Sequence, residues 1–246
     1  MTLIQVINPN TSRAMTAAIG RTAREVAGPG VRVSAVTSAM GPASVESHYD
    51  EALAVPGLLA AVRDGERGGA DGHVIACFGD PGLAAAREIA AGPVVGIAEA
   101  AMHLATYLGR SFSVVTTLSR TVGHTLDLVR GYGFARACAG VHACEVPVLD
   151  LASADARAAV AKACAAARDA DRCDVIVLGC AGMTDLAAVI SAELGVPVVD
   201  GVAAAVKTVE SLVALGLRTA KRGEYATPPA KPVSGALASF TLTGDS

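Results

Sequence analysis

Short runs of β-branched residues alternate along the chain with longer stretches in which alanine and leucine recur at helical spacing. The runs predict strands at Leu3–Asn8, Val31–Thr37, His73–Cys77 and Val94–Gly96, then at Ser111–Thr117, Val141–Leu149, Val175–Gly179 and Val198–Asp200. Helices are predicted near 12–27, 50–68, 81–91, 98–108, 119–131, 153–170, 184–194 and 202–215. Strands separated by helices pair in parallel, because each helix carries the chain back to the same end of the sheet. The pattern therefore predicts two sets of four strands, each strand followed by a helix.

The two sets repeat a motif. Cys77-Phe78-Gly79-Asp80-Pro81-Gly82-Leu83-Ala84-Ala85 and Cys180-Ala181-Gly182-Met183-Thr184-Asp185-Leu186-Ala187-Ala188 each follow an apolar run and precede a helical stretch. Pro93-Val94-Val95-Gly96 corresponds to Pro197-Val198-Val199-Asp200, and both opening strands end in polar turns, Asn8-Pro9-Asn10-Thr11-Ser12 and Thr116-Thr117-Leu118-Ser119. The expected fold is thus α/β, with two pseudo-symmetric lobes, each a four-stranded parallel sheet flanked by helices, and the active site between them. The first lobe is expected over 1–96, joined by 201–246, and the second over 97–200. The tail from Lys221 carries Pro228-Pro229 and Pro232 and is expected to be irregular.

Composition narrows the class. Hydrophobic residues make up 52% of the 246 and aromatics 3%, so a sizeable core is built from Ala, Val, Leu and Ile. A net charge of −3 with interspersed signs offers no footprint for nucleic acid or an anionic membrane. No apolar stretch reaches the roughly 18–20 residues of a membrane span, and the N-terminus reads as a strand without a basic leader. The six cysteines and five histidines lack metal-ligand spacing. No phosphate-binding glycine motif follows the first strand, so no nucleotide cofactor is expected. These features together read as a cytoplasmic protein with reduced thiols, no metal and no cofactor.

The chemistry converges on strand ends. In a parallel sheet, ligands bind beyond the carboxyl ends of the strands. Cys77 and Cys180 stand there, each expected at the N-terminus of the next helix, where the dipole favours a thiolate. Two thiols facing each other across a cleft suit removal of a proton from one face of a carbon and its return to the other. Backbone groups around Gly79, Asp80, Ala181 and Gly182, with Asn8, Thr116 and Thr117, are the candidates for binding substrate and a developing enolate. Asn8 and Asn10 equally suit a simple Asx-turn, and the threonines simple caps. Glu46 or Tyr49 reaches the cleft from the following loop, or Asp50 only starts the next helix. His73, His103 and His124 read as structural or surface residues, as do Cys138, Cys144, Cys164 and Cys173.

The chain resembles the hydantoin and allantoin racemase group of the aspartate/glutamate racemase superfamily. The resemblance rests on Ile7-Asn8-Pro9-Asn10-Thr11-Ser12, Tyr49-Asp50-Glu51-Ala52, Ile75 to Gly82, Gly96 to Ala101, Val177 to Met183 and Glu210 to Gly216. It implies a cofactor-independent racemase in which Cys77 and Cys180 flank the stereocentre as acid and base, acting on a small molecule in a homo-oligomer. Amino-acid racemases of the superfamily carry polar residues after each cysteine. Here Phe78 and Ala181 stand in those places, which favours a cyclic ureide over a free amino acid. Asp71 to Ile75, Ala100 to His103, Val114 to Leu118 and Asp200 to Val202 are similar to the allantoin racemases. A general 5-alkyl or 5-aryl hydantoin racemase, a related decarboxylase or isomerase, and a non-catalytic ligand-binding or redox-sensing protein stand as alternatives. For a thiol pair the rate is expected to rise as one thiol ionises and to fall when both do.

Overall fold

The structure is a computed structural model and describes residues 1–242; the end of the predicted tail, 243–246, lies outside the described residues. One sheet holds β1 (Thr2–Asn8), β2 (Val31–Thr37), β3 (Gly72–Ile75) and β4 (Val94–Gly96) in the order β2-β1-β3-β4. The other holds β5 (Phe112–Thr116), β6 (Cys138–Ala143), β7 (Val175–Leu178) and β8 (Val198–Asp200) in the equivalent order β6-β5-β7-β8. Every pairing is parallel. The fold is α/β with two four-stranded parallel sheets flanked by helices, as the alternation of runs predicts. The strands β3, β5 and β7 are buried along their whole length, which is why they read as unbroken apolar runs without alternation.

The helices are α1 (Arg13–Val26), α2 (His48–Arg67), α3 (Leu83–Ile89), α4 (Ile97–Leu108), α5 (Ser119–Gly131), α6 (Ala154–Asp171), α7 (Ala187–Leu194) and α8 (Gly201–Ala214). Local chemistry starts several of them. Ser12, Ser47 and Ser153 each accept a backbone N–H of the first turn, as N-caps do. Two helices change sheets. Helix α4 follows β4 yet packs on β7 and β8, and α8 follows β8 yet packs on β1 and β3. They lie against each other at the centre, and Ile97, Met102, Val202 and Val206 join Val74 and Val177 in one apolar core. Burying each such side chain contributes roughly 1.5–3 kcal/mol. This crossing fixes how the two sheets face each other. His73 ties β1, β3 and α2 together: fully buried, it places Nδ1 2.8 Å from Gln5 Oε1 and Nε2 2.7 Å from Glu66 Oε1.

Three predicted elements are displaced. Strand β6 covers Cys138–Ala143, not Val141–Leu149. Glu145 adopts a positive φ of 55°, and Pro147 precedes a 3₁₀ turn at Val148–Asp150, so the chain leaves the sheet and folds over the cleft. After Cys77 the chain makes a loop before α3 begins at Leu83. After Cys180 it forms a 3₁₀ turn, Ala181–Leu186, and α7 begins only at Ala187. Beyond α8 the tail lies along the first sheet's helices, with Thr219 donating to the Gly92 carbonyl and Lys221 to those of Arg87 and Glu88.

Candidate active site

The two halves deliver their cysteines by the same construction. The Ala76 N–H donates to the Ile7 carbonyl at 2.8 Å, one residue before Cys77, and the Gly179 N–H donates to the Val115 carbonyl at 2.8 Å, one residue before Cys180. Gly179 has no room for a side chain: a Cβ there would lie 2.9 Å from Thr116 Cα. Both cysteines line a single cleft between the sheets, walled by residues of both halves. It encloses about 830 Å³ of empty space when the open solvent at its mouth is counted.

Each sulfur receives a backbone N–H from the residue two places on. The Gly182 N–H donates to Cys180 Sγ at 3.4 Å, and the Gly79 N–H lies against the Cys77 thiol. These donors stabilise a thiolate, yet burial outweighs them. Burial pushes the Cys180 thiol up to about 12, and Cys77 goes up further still, with burial first and the neighbouring Cys180 and Glu51 charges adding to it. The expected lowering by a helix N-terminus is not found, because neither cysteine abuts an α-helix: Cys180 caps a 3₁₀ turn and Cys77 stands before a loop.

The predicted binding residues separate into two groups. Gly79, Thr116, Thr117 and Ala181 line the cleft with the cysteines. Asn8, Asp80 and Gly182 do not. Asn8 is fully buried behind the turn, where its amide donates to Asn10 Oδ1, the Ser12 carbonyl and Thr16 Oγ1. It shapes the turn, and Asn10 reaches the cleft in its place. Among the described residues, the Asn10 amide nitrogen meets only the weakly accepting sulfur of Met15, at 3.2 Å. Asp80 is committed on both counts. Its N–H donates to the Cys77 carbonyl, and its carboxylate turns away to accept from Ala98 N, Glu99 N and the Tyr132 hydroxyl at 3.1, 2.9 and 2.8 Å. It caps α4 from outside that helix, in space left by Gly96, where a Cβ would run into the carboxylate. Gly182 acts through its N–H on the Cys180 sulfur.

Glu46 lines the cleft and accepts the Val148 N–H at 2.7 Å, bridging the first half to the second. Tyr49 is 73% exposed and points elsewhere, while Asp50 pairs with Ser47 at the start of α2. Sequence reasoning missed Arg120, Thr121 and the group His48, Glu51 and His124, all on the cleft wall. The 48/51 spacing on a first helical turn was the available signal. His124 comes from α5, and nothing in the sequence ties it to α2.

The sequence profile of the Asp/Glu/hydantoin racemase family matches residues 4–209. A hydantoin racemase of Rhizobium meliloti is 47% identical over 94% of this chain and 97% of its own. One of Pseudomonas sp. (strain NS671) is 45% identical over 96% of both chains. The structure of allantoin racemase from Klebsiella pneumoniae superposes with a TM-score of 0.96 at 53% identity, covering 99% of this chain and 100% of that one. The chain belongs to the Asp/Glu/hydantoin racemase family and is accordingly an isomerase.

Proposed function

We propose that the protein racemises 5-substituted hydantoins, allantoin foremost, with Cys77 and Cys180 as its two acid–base groups. The observation that carries this is the pairing of the two cysteines, from equivalent strand ends of the two sheets, in one cleft. One thiolate takes the C5 proton. The electron pair left on C5 delocalises into the adjacent ring carbonyl, and the opposite thiol donates its proton to the other face of C5. The bonds balance: one S–H forms, one S–H breaks, and the pair ends with its protonation states exchanged. Metal and nucleotide play no part in these steps.

The rest of the cleft suits a polar ureide. Asn10 holds an amide with only a weak protein partner, and Thr117, Arg120 and Thr121 add polar groups. Phe78 and Ala181 supply apolar walls beside the thiols, where amino-acid racemases place polar residues. An allantoin racemase is 53% identical, three hydantoin racemases 43–47% and a second allantoin racemase 40%, so the preference for allantoin rests on the first of these together with the polar lining of the cleft.

The test is racemisation of optically pure allantoin in deuterated water, followed by optical rotation and by deuterium at C5. Rotation should decay while deuterium enters. Cys77→Ser and Cys180→Ser should each lower the racemisation rate on the order of 10²–10⁴-fold, the usual contribution of a positioned acid or base. Full activity in either variant refutes the two-thiol mechanism. A faster rate with 5-benzylhydantoin than with allantoin refutes the substrate assignment.

A further inference from the structure

His48, Glu51 and His124 gather on the cleft wall, and the proton transfer above uses none of them. His48 and Glu51 stand three residues apart on the first turn of α2, so they share a face. His124 arrives from α5, in the half that carries the second sheet. The ligating atoms of the three lie within 4.8 Å of one another. Glu51 Oε1 is 3.0 Å from His124 Nε2, and Glu51 Oε2 is 3.5 Å from His48 Nδ1. Two imidazoles and one carboxylate are the donor set that zinc and neighbouring first-row divalent ions prefer. Access is open, since the His48 side chain is 79% exposed, and its ring is free to swing the short distance that closing around an ion requires.

We propose that His48, Glu51 and His124 form a divalent transition-metal site of the Zn²⁺ class, bridging the two halves at the mouth of the cleft. The three protein ligands leave a fourth tetrahedral position for water. The ion takes the place of the proton that His124 Nε2 directs at Glu51 and, at 3.2 Å, at the Gly79 carbonyl. Binding therefore displaces the ring proton, competes with protons in solution, and releases the contact to Gly79. Gly79 is the residue whose N–H lies against the Cys77 thiol. An occupied site thus acts on the Cys77 loop and ties α2 to α5 across the entrance. The site does not need the two cleft cysteines as ligands.

The experiment separates the site from those thiols. Equilibrium dialysis against ZnCl₂ with elemental analysis is run on the Cys77→Ser/Cys180→Ser protein. The same measurement follows with His48→Asn added, and separately with His124→Gln. One equivalent of zinc is expected in the parent, with affinity at least tenfold weaker in each histidine variant. His48 is a surface residue, so its variant keeps the fold, and thermal melts of all three proteins check this. Zinc binding that is absent from the parent, or unchanged by both histidine substitutions, overturns the proposal. Nothing in this test depends on racemisation, so its failure and the failure of the racemase reading are distinct.

Discussion

Substituting Gly96 with alanine should destabilise the protein far more than one methyl group suggests. The added Cβ would occupy the place of the Asp80 carboxylate. That carboxylate is 5% exposed and accepts three hydrogen bonds, from Ala98 N, Glu99 N and the Tyr132 hydroxyl. Hydrogen bonds to a charged group contribute about 1.5–3 kcal/mol each, and a buried donor left unpaired adds a penalty. Moving the carboxylate far enough to lose two of the three should cost about 3–5 kcal/mol, a large part of a typical stability of about 5–15 kcal/mol. Urea unfolding of Gly96→Ala, Asp80→Ala and the double variant tests the contact directly. With Asp80 already alanine the clash is gone, so Gly96→Ala should cost little in that background. The two changes should couple by at least about 2 kcal/mol. Equal cost of Gly96→Ala in both backgrounds, or a cost under about 1 kcal/mol in the parent, refutes the assignment of Asp80 as the external cap of α4.

The same carboxylate predicts a pH dependence of stability. Burial is the main cause that raises Asp80 from 3.8 to about 6, so the native state favours its protonated form and stability is lost as pH rises from about 4 to 6. Across that gap the loss is about 3 kcal/mol, and Asp80→Asn should remove it from a series of urea melts taken at pH 4 to 7; an unchanged slope contradicts it. The thiols predict the pH–rate profile. With Cys180 raised to about 12 and Cys77 raised further, log kcat/KM for the free enzyme should climb by about one per pH unit through pH 9. The falling limb of the expected bell then lies beyond the working range, and a maximum near pH 7 overturns this ordering. Asn10→Ala should raise KM for allantoin about tenfold, the worth of one hydrogen bond of about 1.4 kcal/mol, with Asn8→Ala instead lowering thermal stability; reversed effects refute the exchange of roles between the two asparagines.

Much of the fold was legible because it is written in local patterns. Parallel strands covered on both faces are continuous apolar runs, and the repeated Cys-x-Gly motif marked equivalent strand ends in both halves. Strand β6 was misplaced because its first three residues, Cys138-Ala139-Gly140, carry no β-branched side chain, while the apolar Val146 and Val148 that drew the prediction are buried by folding over the cleft. The cysteine pair was legible for the same reason as the repeat. The binding residues were not, because side-chain direction is decided by distant partners. Asn8 and Asn10 share one turn, and the Ser12 carbonyl and the hydroxyl of Thr16 on α1 draw Asn8 inward. Asp80 lies in a sequence that reads as a ligand loop, yet the space left by Gly96 and the unpaired N–H groups of α4 turn it away. His124 meets Glu51 only because the two sheets face each other.

The repeat preserves the place of each thiol and not its surroundings. Cys180 caps a 3₁₀ turn, with Cys144 and Glu46 as the charges that bear on it. Cys77 precedes an open loop and feels Cys180, Glu51 and Asp80. The caps of the crossing helices differ in the same way: Asp200 caps α8 from its own N-cap position, whereas α4 begins at Gly96 and borrows its cap from Asp80. A catalyst that interconverts mirror images has an equilibrium constant of one, so kcat/KM must be equal in the two directions whatever the environment of each base. The two thiols are not equivalent in the charges that surround them, so on the proposed mechanism that equality is met by unequal kcat and KM that compensate. On the proposed two-thiol mechanism, two-fold pseudo-symmetry supplies a proton acceptor on each face of the substrate, and the departures from it decide which enantiomer binds more tightly and which turns over faster.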